Sequence, residues 1–582
     1  MRIDRGWQGL QAFSQDLYKE RYFRHGEDYS SWLNRMSKYT DDLAHAERIK
    51  QYINNYWFHP STPISSPGKL PISCYTNEVP DDKQGIFNVF TENNNLGAEG
   101  GGIGTSWSSV RELGAVVGTH GKSSGIIPFI KVSDSSTLAV SQGGLRRASQ
   151  AVYLDVSHPE IEEFIDVRRP TGDTNRRSIN VHHGVVIPDA FMEAVEARGS
   201  WNLVSPKDGK IVKTVDAFDL FKRILTTRME TGEPYMLFKD NVNRAVPEEY
   251  KQKQWEVSMS NLCAEITLHT EPGYTGVCCL GSLNLEYWDE YKDDIEQVAY
   301  DCTRFLDNVL QEFIDETESM PGFEAPRKSA IYERSIGLGV MGFHSLLQNN
   351  MLPWESPMAK GLNMLIFKAI KEATVVADLK AALTFGQSPI SEATDTMSRN
   401  THSTSIAPTA SISTLCNATS QGIDPRLANG YLHKTNIGSY TIKNKYLDRI
   451  ITDYLYSIIQ DGSVFKSSYE DIWKSIVKHG GSVQHLDFLT DYEKDVFKTA
   501  IEINQFVTVD LACDRAPYID QAQSVNLFIP ADEHVANVYN MHVRAWKQGL
   551  KSLYYCRSTA AVRGDNSGER QIIAVDECIS CQ

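Results

Sequence analysis

From Leu70 to Cys263 the chain alternates short apolar runs with stretches of helical period, and this rhythm confines it to few folds. Leu70-Pro71-Ile72-Ser73-Cys74-Tyr75, Ala151-Val152-Tyr153-Leu154-Asp155-Val156 and the run from Ile179 to Ile187 have strand character. Phe218 to Glu230 has the apolar spacing of a helix. Such alternation predicts an α/β architecture with a largely buried sheet. Glycine-rich loops punctuate it, at Gly97 to Gly104 and at Gly143 to Ser149. Missing Cβ atoms there would let backbone amides approach a ligand.

The flanks divide the chain. Residues 1–60 are aromatic, charged and helix-like, and a Pro/Ser stretch from Pro60 to Pro67 reads as a linker. The expected organisation is a short N-terminal helical region (1–60), a body (61–565) and a tail (566–582). Phe367 to Leu383 reads as an amphipathic helix, and Val535 to Tyr555 as a long one. Gly337-Leu338-Gly339-Val340-Met341-Gly342 matches a dinucleotide-binding glycine pattern, but the residues before it are charged and poorly strand-like. A closely packed, glycine-bearing helix is expected instead. Ser405 to Thr414 offers hydroxyls and amides after Pro408, a phosphate cradle if it opens a helix.

Bulk properties exclude several function classes. A formal charge of −16 over 582 residues argues against a general nucleic-acid surface. Local clusters such as Arg146-Arg147 could bind a small anion or form a solvated face. The start has no signal-peptide core, and no apolar run is long enough to span a membrane. The ten cysteines therefore read as thiols of a reducing compartment, and the expected location is cytoplasmic.

Asn261-Leu262-Cys263-Ala264-Glu265 is the stretch with most chemistry. Run extended, it would present Asn261, Cys263 and Glu265 on one face, the outer two roughly 13 Å apart. An edge strand with a buried cysteine is the plainer alternative. Cys578-x-x-Cys581 is half a zinc site or a redox pair, and no second pair at such spacing completes a metal site. A C-terminal dithiol is suited to exchange with a distant disulfide. Cys74 and Cys278, on short apolar segments, are the candidates for that pair.

These residues together resemble the large, catalytic subunit of ribonucleotide reductase, from about residue 60 onward. The likeness rests on Pro71 to Cys74, Gly102 to Gly104, Gln142 to Arg146, Ser260 to Glu265 and Cys278 to Leu285. It continues with Gly337 to Gly342, Pro408 to Ser413, Asp520 to Ser524, Leu553-Tyr554-Tyr555 and the terminal dithiol. The resemblance implies a ten-stranded α/β barrel that reduces ribonucleotides, expected as diphosphates, to 2′-deoxyribonucleotides. Cys263 would become a thiyl radical, Glu265 the general base and Asn261 the anchor of the substrate hydroxyls. Cys74 and Cys278 would supply the reducing equivalents, Cys278 being chosen over Cys279 because it lies seven residues before Leu285.

Cys578 and Cys581 would regenerate that pair and pass oxidation to a thioredoxin- or glutaredoxin-like protein. Ser73 and Gly102 would line the ribose, and Thr409, Ala410, Ser411, Ile412 and Ser413 the diphosphate. Asp81, Asp82, Arg111 and Arg146 would belong to an effector-nucleotide (dNTP or ATP) site. Tyr554 and Tyr555 would carry the radical in from a separate, metal-containing small subunit, with no cofactor bound in this chain. A homodimer is expected with effector, in the cytoplasm or a host's cytoplasm. An adenosylcobalamin-dependent reductase or a catalytically inert nucleotide-binding relative is the alternative. Only 73 residues precede Cys74, fewer than an ATP-binding module of about a hundred residues plus a helical region would take. Overall ATP/dATP on–off control is therefore not expected. Cys279 and Cys556 have no assigned role.

Overall fold

The computed structural model describes residues 5–68, 70–119, 121–142, 146–434, 439–460 and 468–558. Nine strands form its main sheet. They are β1 (Phe58–Pro60), β2 (Cys74–Glu78), β3 (Gly102–Ser106), β4 (Ser149–Asp155), β5 (His182–Ile187), β6 (Tyr235–Phe238), β7 (Gly276–Asn284), β8 (Ile336–Met341) and β9 (Ser552–Leu553).

Strands β2 to β6 are parallel neighbours in chain order. Helices such as Lys83–Ala98 and Ala217–Thr231 provide the crossovers that parallel strands need. On one side β7 runs antiparallel to β2 and parallel to β8; on the other, β9 runs antiparallel to β6. Two irregular segments close the ring. Residues 402–406 hydrogen-bond to β8, residues 521–525 hydrogen-bond to them, and the Tyr554 N–H returns to the Val525 carbonyl beside β9. Strands β2 to β9 and these two segments are the ten staves of an α/β barrel, as the resemblance implied.

The strand period decides which side chains enter. Along β4, Ala151 and Tyr153 join an inner cluster with Cys263, while Val152 and Leu154 pack outward against the helices. Both faces are apolar and buried, as expected of a parallel sheet covered by helices.

Four local expectations are corrected. Gly337 to Met341 belong to strand β8, not a helix, and Gly342 precedes the helix Phe343–Asn349. A Cβ on Gly339 would lie 2.3 Å from the Ser405 carbonyl oxygen, so glycine admits the next stave. The helix from Val535 ends at Lys547, before Gly549 at φ +84°, which puts Tyr554 and Tyr555 in the barrel wall. The loop expected at Gly97 to Gly104 is a helix end and the start of β3. The Pro/Ser stretch is no slack linker: β1 pairs with β7, and Thr62–Ser65 is a buried helical turn whose Ser65 carbonyl accepts from Trp32 Nε1 at 2.9 Å. The N-terminal helices thus share the barrel's core. The Phe367 to Leu383 helix is present and longer, Pro357–Phe385, capped by the Ser356 side chain. No helix among the described residues is long and apolar enough to cross a membrane.

Candidate active site

Residues 255–270 thread into the barrel without forming a strand. The extended reading of Asn261 to Glu265 is corrected here: the chain turns at Leu262 to Ala264, with Ala264 at φ +60° and its N–H on the Asn261 carbonyl at 3.3 Å. A turn rather than strand alternation brings the three side chains together. Asn261 organises it, since its Oδ1 accepts from the N–H groups of Glu265 (3.1 Å) and Ile266 (3.2 Å).

The barrel holds this turn by its carbonyls. Tyr153 donates to Asn261 O (2.7 Å), Ser524 to Cys263 O (2.6 Å), Ser552 to Ala264 O (2.7 Å) and Ser405 to Glu265 O (2.9 Å). These donors lie 108 to 288 positions away in sequence, which is why no local signal reveals them. A buried carbonyl left without such a partner costs about 1–3 kcal/mol, so the set imposes one conformation. Gly104 gives the turn room, because a Cβ there would stand 1.9 Å from the Ser260 oxygen.

Two of the thiols, Cys74 and Cys263, line one small cavity. Cys74, Gly102, Asn261, Cys263, Glu265, Ser73, Thr409 and Ile412 line it, together with Ser61 and Ser282, which sequence reasoning missed. Cys74 and Cys278 stand directly opposite one another across β2 and β7, and directly opposed residues point to the same face. Asn261 Nδ2 donates to Cys74 Sγ at 3.2 Å. Gln521, also missed, donates to Cys278 Sγ at 3.5 Å. Burial, above all, pushes the Cys278 thiol up to about 12, with the Glu265 charge adding to it.

Glu265 is fully enclosed, with Cys74 Sγ 3.8 Å from Oε1 and Ser524 Oγ 3.5 Å from Oε2. Desolvation raises its carboxyl to about 7 against the lowering effect of its own backbone N–H, Asn261, Cys74 and Ser524. A carboxyl poised there is suited to general acid–base work near neutral pH.

On the wall side, Tyr554 is hydrogen-bonded to Cys263. Its ring lies 4.3 Å from Tyr555 and 4.8 Å from Tyr235, which is 5.1 Å from Tyr555. The Tyr555 hydroxyl is 3.2 Å from His182 Nδ1, itself 2.6 Å from the buried Glu233. A cluster of tilted, edge-on aromatic rings therefore leads from the thiol to the half-buried Tyr555. Tyr235 was not singled out from the sequence, because one tyrosine on an apolar strand looks like packing.

Thr409 opens the helix Ala410–Leu415 at φ +55°, and its Oγ1 accepts from the Gly422 N–H at 2.7 Å. Ser413 turns back onto the Ala410 carbonyl (3.1 Å), and Ala410, Ser411 and Ser413 do not line the cavity. Arg111 Nε holds both Asp81 carboxylate oxygens (2.9 and 2.8 Å). Asp82 caps the helix Lys83–Ala98 by accepting from the Gly85 N–H (2.9 Å). Arg146 pairs through its backbone with Gln142. Cys279 points away from Cys278, with its thiol on the Leu306 carbonyl (3.2 Å), and Cys556 packs on Met229 (3.6 Å). Both are core cysteines. Cys578 and Cys581 lie outside the described residues.

Comparison with known proteins accords with this geometry. Residues 72–398 and 390–556 match the family model for "Ribonucleotide reductase, barrel domain". The chain is 40% identical over 544 residues to a provisionally named ribonucleoside-diphosphate reductase large subunit of Frog virus 3 (isolate Goorha), covering 92% of each. It is 37% identical over 595 residues to the ribonucleoside-diphosphate reductase large subunit of Invertebrate iridescent virus 3, covering 92% of this chain and 90% of that one. The solved Actinobacillus ureae class Id ribonucleotide reductase alpha subunit superposes with a TM-score of 0.83 at 31% identity, over 96% of this chain and 98% of that one. The chain belongs to the ribonucleotide reductase large-subunit family.

Proposed function

We propose that this site reduces ribonucleoside diphosphates by a radical route in which Cys263 takes the 3′-hydrogen of the ribose. Glu265 accepts the 3′-hydroxyl proton and Asn261 holds the substrate hydroxyls. The 2′-hydroxyl leaves as water, and the 2′-carbon gains a hydrogen. Cys74 and Cys278 together give up two electrons and two protons and become a disulfide. Cys263 then recovers its hydrogen. The observation that carries this reading is the cross-strand opposition of Cys74 and Cys278 beside Cys263 and Glu265.

Ser73 and Gly102 flank the ribose, while Thr409 and Ile412, with the amides through Ser413, take the diphosphate. Ala410 and Ser411 contribute by backbone rather than side chain. The contiguous rings of Tyr554, Tyr555 and Tyr235 support radical entry from a separate metal-containing small subunit, in keeping with the likeness to the class Id alpha subunit of Actinobacillus ureae. Cys578 and Cys581 would restore the oxidised pair and hand the disulfide to a thioredoxin or glutaredoxin. Asp81, Arg111 and Arg146 would answer an effector nucleotide (dNTP or ATP), with Asp82 in a supporting role as helix cap. Exposed Phe87, Val132 and Leu138 on the helices Lys83–Ala98 and Ile127–Ala139 favour a homodimer there.

The test is reconstitution of this chain with candidate small subunits, a ribonucleoside diphosphate and a dithiol. Deoxynucleotide should form and should vanish in Cys263→Ser, which still binds nucleotide. Turnover with adenosylcobalamin and dithiol alone would instead favour the cobalamin-dependent alternative.

A further inference from the structure

Cys74 and Cys278 differ in surroundings although they share a register. Cys74 lines the cavity, whereas Cys278 does not and is fully enclosed. Among the described residues Gln521 gives the Cys278 sulfur its one N–H donor, at 3.5 Å. The orientation of that amide is fixed, because Gln521 Oε1 accepts from the Thr267 N–H (3.2 Å) while Nε2 also reaches the Ile336 carbonyl (3.2 Å). Flipping it would set two N–H groups face to face and a carbonyl against a carbonyl.

The backbone beneath is equally constrained. The buried Lys551 ammonium donates to the carbonyls of Ile519 (2.9 Å), Asp520 (2.6 Å) and Gln521 (2.6 Å).

From this asymmetry we infer that re-reduction of the Cys74–Cys278 disulfide has a fixed direction, with Gln521 positioned to stabilise Cys278 as the leaving thiolate. The inference rests on the reading of these two cysteines as the reductant pair. An incoming thiolate from the dithiol reductant forms a bond to Cys74 Sγ, the sulfur that faces the cavity. The Cys74–Cys278 bond breaks, and its electron pair goes to Cys278 Sγ, where the Gln521 N–H meets it. Access through the cavity selects Cys74 for attack; burial makes Cys278 the harder thiolate to form, so the Gln521 N–H, which offsets part of that cost, governs how fast it leaves. The reductant's second thiol then attacks the mixed disulfide, releases Cys74 and leaves the reductant oxidised. The two protons of the dithiol end on Cys74 and Cys278. Without Gln521 the buried sulfur would have to carry its charge with no donor, a costly state.

The experiment uses the full chain reconstituted with its small subunit. In a Cys578→Ser/Cys581→Ser background, where the tail cannot exchange with the pair, one turnover without reductant is followed by dithiothreitol, with rapid-quench thiol mapping. In Gln521→Leu and in the near-isosteric Gln521→Glu, re-reduction should slow at least tenfold and become more steeply dependent on pH. The burst of deoxynucleotide reports that each variant is folded and has oxidised its pair. A wild-type re-reduction rate in a variant that gives a burst would overturn the inference. No burst and no disulfide in the unaltered chain would instead sink the underlying reading of the pair. A second arm needs no change at Gln521. With 5,5′-dithiobis(2-nitrobenzoate), Cys74 in Cys278→Ser should be labelled at least tenfold faster than Cys278 in Cys74→Ser. Equal rates would contradict a preferred sulfur.

Discussion

The Glu265 carboxylate lies 3.8 Å from the Cys74 sulfur, inside a turn that the barrel holds by its carbonyls. Burial raises that carboxyl to about 7, so it is protonated and unable to act as a base on the acid side of neutrality. Turnover should therefore rise with pH through about 7. Glu265→Gln should lower kcat by about 10²–10⁴-fold and remove that limb of the pH–rate profile. A flat profile in the unaltered enzyme would count against Glu265 as base.

The same shift has a stability consequence. The folded state holds the Glu265 proton above the pH at which the unfolded chain releases it, so stability from this group is present at acid pH and declines as pH rises toward about 7. Glu265→Gln should raise resistance to denaturant at pH 8 relative to the parent, with a smaller difference at pH 4. Denaturant titrations at the two pH values check this.

Tyr554→Phe and Tyr555→Phe keep the ring contacts but remove the hydroxyls beside Cys263 and His182. Each should drop small-subunit-driven turnover to background while nucleotide affinity, read by equilibrium dialysis, persists. Turnover surviving in either variant would take that tyrosine off the radical route.

Gly104→Ala would set a methyl where the Ser260 carbonyl stands. The turn would be displaced from the barrel wall, and activity should be lost while the chain still folds. Circular dichroism and turnover measured on one preparation separate the two outcomes.

Asp82→Ala should cost about 1 kcal/mol of stability, the usual worth of an N-cap. Its effect on effector response should be small beside that of Arg111→Ala, whose guanidinium is tied to Asp81. Substrate preference measured with each effector nucleotide compares the two.

The sequence foretold an α/β body with a buried sheet because apolar strand runs such as Ala151 to Val156 are local signals, whereas the closed barrel came from the resemblance. It named Cys74, Asn261, Cys263 and Glu265, which line one cavity, but not how they come together. Asn261 to Glu265 has the pattern of a strand, and only donors as distant as Tyr153 and Ser552 make it a turn. Glycines at 337 and 339 suit a helix or a strand equally by composition; the approach of Ser405 decides for a strand. Cys279 was open in the sequence, yet its place next to Cys278 on a strand already sent it to the opposite face. Gln521 and Ser524 sat inside a recognised stretch, but their targets belong to other staves, so no spacing rule could assign them.

The most direct test of the account is one turnover on a ribonucleoside diphosphate by the Cys578→Ser/Cys581→Ser chain, whose tail cannot exchange with the pair, with the small subunit present and no dithiol, followed by thiol trapping and peptide mapping. The account predicts one Cys74–Cys278 disulfide for each deoxynucleotide formed, with Cys279, Cys302 and Cys556 still free. Deoxynucleotide formed while Cys74 and Cys278 remain reduced, or a disulfide that contains Cys279, would contradict it.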